Sequence, residues 1–190
     1  MTDFWNPGFV AGSKVALWTA PANTPKPTET TLPAPYSILP SPWTSPGGTV
    51  EGVKFAFDSE IKEWTIEEQT TPVKRTKTRK FSVTADLAES TLPNLKLTLG
   101  GGTLSTVVGS GSVPTRTSVR LTENFDTVAI LLDGIGVNGA ILRAYVPVMD
   151  TDGKLEVENR ATETYRKFSL NLAALCPPDQ IEVYELSAAA

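Results

Sequence analysis

Apolar and polar residues alternate with a period of two along most of this chain, the pattern of strands that bury one face. Residues 13–19, Ser-Lys-Val-Ala-Leu-Trp-Thr, predict a first strand. Between 50 and 83 the pattern is strongly β: Val53, Phe55 and Phe57 alternate with Lys54 and Ala56, Asp58-Ser59-Glu60 predicts a turn, and 61–69 a return strand. Residues 71–83 predict a further long strand, or a hairpin turning near 76–79. The period then changes. Leu87, Leu92, Leu95 and Leu99 fall near helical spacing, and Gly100-Gly101-Gly102 ends the segment. Pro93 holds the start to Thr91 or Leu92, with Ser90 or Thr91 as N-cap, so the predicted helix covers 91–100.

The remainder predicts strands at 118–121, 127–132, 140–148, 154–157, 165–172 and 181–186. Turn pairs separate them, among them Asp133-Gly134, Asn138-Gly139, Asp152-Gly153 and Pro178-Asp179. Many short strands with one helix give the fold class: mainly β, a β-sandwich or split barrel covered by a short helix. No internal repeat is present. The 190 residues suit one domain spanning 1–190.

One segment breaks the pattern. Residues 20–48 hold eight of the fifteen prolines, and Lys26 and Glu29 are their only charges. Proline removes backbone donors and blocks helix and central strand alike, so this is an extended loop. A solvated linker would be more polar than one carrying Leu32, Tyr36, Ile38, Leu39 and Trp43. The arm therefore lies on something: its own domain or a neighbouring copy.

Composition narrows the chemistry. The chain has no histidine, which removes the usual general base, the Ser-His and Cys-His pairs and the commonest transition-metal ligand. Cys176 is the single cysteine, read as a small buried apolar residue; no intrachain disulfide or cysteine metal cluster is available. No stretch nears the roughly 18 apolar residues of a membrane helix, and the first ten residues lack the basic and apolar regions of a signal peptide, so synthesis in a cytoplasm is expected.

The apparent motifs reduce to turns. Gly134-Ile-Gly-Val-Asn-Gly139 matches a dinucleotide fingerprint, but the residues after it are β formers halted by Pro147, so the glycines turn a hairpin. Asp150-Thr-Asp-Gly-Lys-Leu-Glu156 has its glycine at the fourth position, not the sixth of a calcium loop. The 100–111 glycines lack the Gly-Lys-Ser/Thr of a phosphate loop. Glu60, Glu63, Glu67 and Glu68 read as a charged strand face, not a glycosidase pair. No cofactor and no enzymatic site emerge.

The sharpest remaining feature is basic. Lys74, Arg75, Lys77, Arg79 and Lys80 put five of seventeen Lys and Arg residues into seven positions of a chain whose net charge is −4. The run contains no aromatic for base stacking. Asp58, Glu60, Glu63, Glu67 and Glu68 lie just upstream, and opposite blocks on neighbouring strands suit heterologous pairing with a second copy.

The order of features in 48–102, "GTVEGVKFAFDSEIKEWTIEEQTTPVKRTKTRKFSVTADLAESTLPNLKLTLGGG", resembles the major tail tube proteins of long-tailed bacteriophages, especially those of actinobacteria. "VAILLDGIGVNG" and "LRAYVPVMDTDGKLEVENRATETYRKFSLNLAAL" extend the resemblance over roughly residues 10–187. The resemblance implies a virion protein assembled in the host cytoplasm. Its subunits would form hexameric rings stacked into a tube around a tape-measure protein, with tail terminator and distal tail proteins at the ends. DNA would pass through the lumen without specific binding. Subunit-interface candidates are then Lys74, Arg75, Lys77, Arg79, Lys80, Glu60, Glu63, Glu67 and Glu68, with Tyr36, Ile38, Leu39 and Trp43 of the arm. The proline-rich loop and the absence of an appended immunoglobulin-like domain depart from the family pattern. Two other readings remain open: a β-sandwich module binding glycan or nucleic acid through Trp5, Trp18, Trp43, Trp64 or the basic run, and a carboxylate-based hydrolase.

Overall fold

The computed structural model describes residues 15–28, 38–64, 73–135, 140–151, 157–158 and 167–186, with backbone alone at 51, 61–64, 73–77, 157–158 and 167. In chain order the elements are β1 (Val15–Pro21), β2 (Thr49–Trp64), β3 (Val73–Leu87), α1 (Leu92–Thr98), β4 (Thr103–Val107) and β5 (Arg116–Arg120). There follow β6 (Val128–Ile135), β7 (Ile141–Thr151), β8 (Val157–Glu158), β9 (Lys167–Ala174), a 3-10 turn at Pro178–Gln180, and β10 (Glu182–Leu186).

One antiparallel sheet runs β1-β6-β7-β9-β3-β2, with β10 added to β7 and β8 to β9. The additions show where the sheet splits. β7 pairs with β9 only at Met149–Thr151, and over Ile141–Tyr145 β10 pairs with it. β9 likewise takes β8 at Phe168 and Lys167. The sheet curls until its outermost strands, β1 and β2, approach one another without pairing. This is a mainly β split barrel with one short helix, as the periodicity predicts.

The main core fills the curl: Leu17, Val53, Phe81, Val83, Leu87, Ile130, Leu132, Val146, Met149, Leu170 and Leu172 are all buried, and Leu95 and Leu97 of α1 pack against them. β6 is buried on both faces, since Ala129 and Leu131 are as covered as Ile130 and Leu132. Their partners on the second face are Trp18, Ala20, Leu39 and Trp43. The continuous apolar run Val128-Ala-Ile-Leu-Leu132 thus reflects two covers, one of them the proline-rich arm. Pro147 sits where the β6–β7 register shifts, between the pairs Val128–Met149 and Ile130–Val146, so its missing N–H falls at a bulge.

α1 begins and ends as its sequence dictates. The Thr91 side chain accepts from the Asn94 N–H at 3.4 Å. At the other end the Gly100 N–H donates to the Leu97 carbonyl and the Gly101 N–H to that of Lys96, at 3.2 and 2.9 Å. That pairing needs a left-handed residue after the helix, supplied by Gly100 at φ 74°. The helix occupies Leu92–Thr98, inside the predicted 91–100.

Four expectations are corrected. Asp58-Ser59-Glu60 is not a turn; β2 runs unbroken from Thr49 to Trp64. The strand has left the core by then, Asp58, Ser59 and Glu60 being exposed, and a polar triplet on a strand wetted on both faces mimics a turn. No hairpin turns near 76–79, because β3 is continuous from Val73 to Leu87. β4, absent from the predicted elements, pairs with β5 as a separate two-stranded sheet. Asp133-Gly134 is not a turn either, since both lie within β6 and Gly134 opposes Leu142; residues 136–139 of the glycine motif lie outside the described residues, and a strand, not a helix, follows them. Asp152-Gly153 lies outside the described residues, as does most of the predicted 154–157 strand, β8 starting at Val157.

Candidate assembly interface

β2 and β3 form a two-stranded arm that extends past the core. Up to Val53 and Phe81 its inward residues are buried; by Phe57 they are 39% exposed. Phe55 stacks on Phe81 with centroids 5.9 Å apart, and Arg79 lies 6.0 Å from the centroid of Phe57. Beyond that point polar residues dominate. The register opposes Asp58 to Lys80 and Glu63 to Lys74, while Glu60 faces Thr78 and Lys62 faces Arg75. Between Glu60 and Ile61 the register shifts, leaving Lys77 as the extra residue of a bulge. The basic run therefore lies along one arm of a hairpin rather than at its tip, and carboxylates of the same chain stand across from it. Cross-strand opposite charges contribute roughly 0.2–1 kcal/mol per pair, and β2 has fewer acidic groups here than β3 has cations.

Of the anticipated interface residues, Glu60, Arg79 and Lys80 are exposed on this arm. Glu63, Lys74, Arg75 and Lys77 are placed by strand register alone, and Tyr36, Glu67 and Glu68 lie outside the described residues. Among the described residues β2 pairs with β3 alone. At the opposite edge of the sheet Thr19 of β1 and Thr44 of the proline-rich segment exchange backbone hydrogen bonds, each 2.8 Å, forming a single bridge.

The proline-rich arm divides at neighbouring residues. Ile38 is 89% exposed, whereas Leu39 and Trp43 are 5% and 6% exposed and belong to the chain's own second core. Trp43 meets Tyr145 edge-on at 6.4 Å between centroids, and the Tyr145 hydroxyl donates to the Thr24 carbonyl at 2.7 Å. Burial is the largest influence on the Tyr145 hydroxyl and pushes its pKa above 10.0; Cys176 and Glu182 act in the same direction and Lys26 opposes them. Lys26 also bonds Glu182 at 2.7 Å and lies 5.0 Å from the Tyr184 ring centroid, tying the arm to β10. Cys176 is half-buried against the main core.

Around α1 the contacts are not apparent from the residue pattern. The buried Asn94 side chain donates to the Pro46 and Glu89 carbonyls at 2.7 and 2.8 Å, joining the helix start to the arm. A groove of about 740 Å³ opens between α1, the arm around Pro42–Pro46, and the approach to β6. Its wall includes Pro46, Pro93, Leu97, Phe125 and Val128, and Lys96 and Asp126, two of its lining residues, pair at 3.4 Å. From beside it springs the β4–β5 hairpin, every β4 residue exposed. The alternation Thr103-Leu-Ser-Thr-Val107 was the available signal for β4, overshadowed by the glycines on either side.

Among the described residues no group of three or more His, Cys, Asp or Glu side chains could hold a metal ion, and no helix is long and apolar enough to cross a membrane. Trp18 and Trp43 are buried, so neither offers the exposed stacking platform a glycan-binding module requires. A fully buried ion pair, Arg143 Nε to Asp133 Oδ1 at 3.0 Å, joins register partners on β7 and β6.

The model of the phage tail tube protein family matches residues 7–166, most of the chain, and the chain belongs to that family. Among curated proteins none matches it. The family is structural rather than enzymatic, a component of the phage virion's tail in which subunits assemble with one another into a tube.

Proposed function

We propose that this chain closes into six-fold rings that stack as the tail tube, enclosing a tape-measure protein and later conducting DNA, with terminator and distal tail proteins at the two ends. The observation that carries the reading is the sixteen-residue β2, whose outer edge has no strand partner among the described residues. Such an edge invites strand addition, and a closed ring of subunits satisfies it without runaway pairing. β1, the other outer strand, has seven residues against sixteen and is bridged by the proline-rich arm at Thr19, so among the described residues β2 offers the longer open edge.

Charge fits a conduit. With a net charge of −4 the subunit has no global attraction for DNA, so a lumen can pass it without holding it. The β3 cations not balanced by β2 are then matched by carboxylates of a neighbouring subunit or ring, and Ile38 with its exposed part of the arm meets an adjacent copy. The chain acts as a single domain in this assembly.

Blocking the β2 edge tests the reading. Successive backbone N–H groups of a strand point to opposite edges, so Asp58→Pro and Ser59→Pro remove one inward and one outward donor. The variant that loses the inward donor melts at lower temperature. The other keeps the parent's melting temperature and no longer sediments as polymer; normal polymer from that second variant refutes edge joining through β2.

A further inference from the structure

The β4–β5 hairpin ends in Val107-Val-Gly-Ser-Gly-Ser-Val-Pro114, a stretch without a single charge. Val107, Val108 and Val113 are 64%, 79% and 64% exposed, the largest apolar exposure of any ordered turn among the described residues. The tip is nonetheless built. The Val113 N–H donates to the Ser110 carbonyl at 3.1 Å, and the Gly109 N–H to the Thr115 hydroxyl at 3.2 Å. A side chain at Gly109 would collide with the Val113 and Pro114 backbone, and Gly111 holds φ 62°, so the glycines shape this turn specifically. A pre-ordered apolar tip loses little entropy on docking.

The groove beside α1 offers apolar surface to match: four prolines, Leu97, Phe125, Val128 and Leu172 line it alongside threonines, Ser45 and Asn94, and its two charged residues, Lys96 and Asp126, pair with each other. No residue of the hairpin lines the groove of its own chain. Gly100, Gly101, Phe125 and Asp126 line the groove and also bracket the hairpin's base, and five-residue strands at about 3.3 Å per residue put the tip roughly 15 Å from that base. We infer that the tip of one subunit docks in the α1 groove of another copy, a heterologous contact in which knob and socket come from different surfaces of the same protein. The occupant is a second copy because the family assembles with itself, because the knob carries no charge and the socket's two charges pair with each other, and because both are present once per chain. The volume also suits a small ligand, but the ordered apolar knob has no other described cover.

This inference rests on tube assembly, and the experiment separates the two. In a Cys176→Ala background, Val108→Cys chains are mixed with Ser45→Cys or Pro93→Cys chains, assembled, oxidised and run without reductant. Cross-linked dimers appear only in the mixtures, not in assemblies of either variant alone. Tubes that give no dimer with either groove position overturn the docking and leave tube assembly standing; failure of the unaltered chain to form tubes overturns both. The double variant Val108→Asp, Val113→Asp, altered at exposed positions, melts like the parent but loses at least tenfold in assembly rate. Tubes growing from it at the parent's rate overturn the docking as well.

Discussion

Replacing Trp43 by alanine asks whose core the proline-rich arm completes. In the structure Trp43 is 6% exposed and packs with Trp18, Leu39 and Leu131 of its own chain. A buried indole removes up to about 250 Å² from water, worth roughly 6 kcal/mol at 25 cal/mol per Å² as an upper bound. Substitutions of this kind cost about 3–5 kcal/mol, and a loop can partly close the void, so about 3 kcal/mol is expected. For a chain of this size that lowers the melting temperature by roughly 6–12 °C. The assay is thermal unfolding of the dilute, unassembled subunit by circular dichroism. Ile38→Ala, five residues away and 89% exposed, is the internal control and leaves the melting temperature unchanged. Were the arm held mainly by neighbouring copies, Trp43→Ala would melt with the parent and only assembly would suffer; that result refutes the packing described here.

Arg143→Met strands the buried Asp133 carboxylate and costs about 3–5 kcal/mol in urea unfolding, whereas Asp133→Leu with Arg143→Met recovers most of the loss; a double variant as unstable as the single one contradicts this. Tyr145→Phe removes the hydrogen bond to the Thr24 carbonyl and costs about 1 kcal/mol at neutral pH. Because the folded-state pKa of Tyr145 is raised above 10.0, its neutral form is favoured in the fold: the associated stability is full below the unfolded value and is lost as pH rises through the folded one. The parent therefore loses more stability than Tyr145→Phe as pH rises past the unfolded value near 10.0, and parallel losses contradict the assignment.

The barrel was legible because its strands keep strict alternation wherever one face is buried, as Phe81, Val83, Ala85 and Leu87 do on β3. Cap chemistry made α1 equally readable: Thr91, Pro93 and the glycines each act locally. Alternation lost its meaning where strands leave the core. On β2 the triplet Asp58-Ser59-Glu60 looks like a turn because no buried face remains to dictate a pattern, and on β4 every position is exposed. The basic run was visible as composition, but its nearest carboxylates could not be assigned until the hairpin register set Asp58 against Lys80. The α1 groove left no local signal, since its walls come from the arm, the helix and the approach to β6, segments far apart in sequence. Trp43 shows the remaining gap: its hydrophobicity said that the arm must lie on something, and only the packing against β6 said on what.

On the proposed function, copies of this chain build a hollow six-fold tube. Negative-stain electron microscopy of the purified protein, concentrated with and without the proposed tape-measure protein, is the decisive observation. Stacked rings or tubes with a central lumen and six-fold end views are expected. Particles that stay monomeric across protein and salt concentrations, or polymers without a lumen, contradict the proposal.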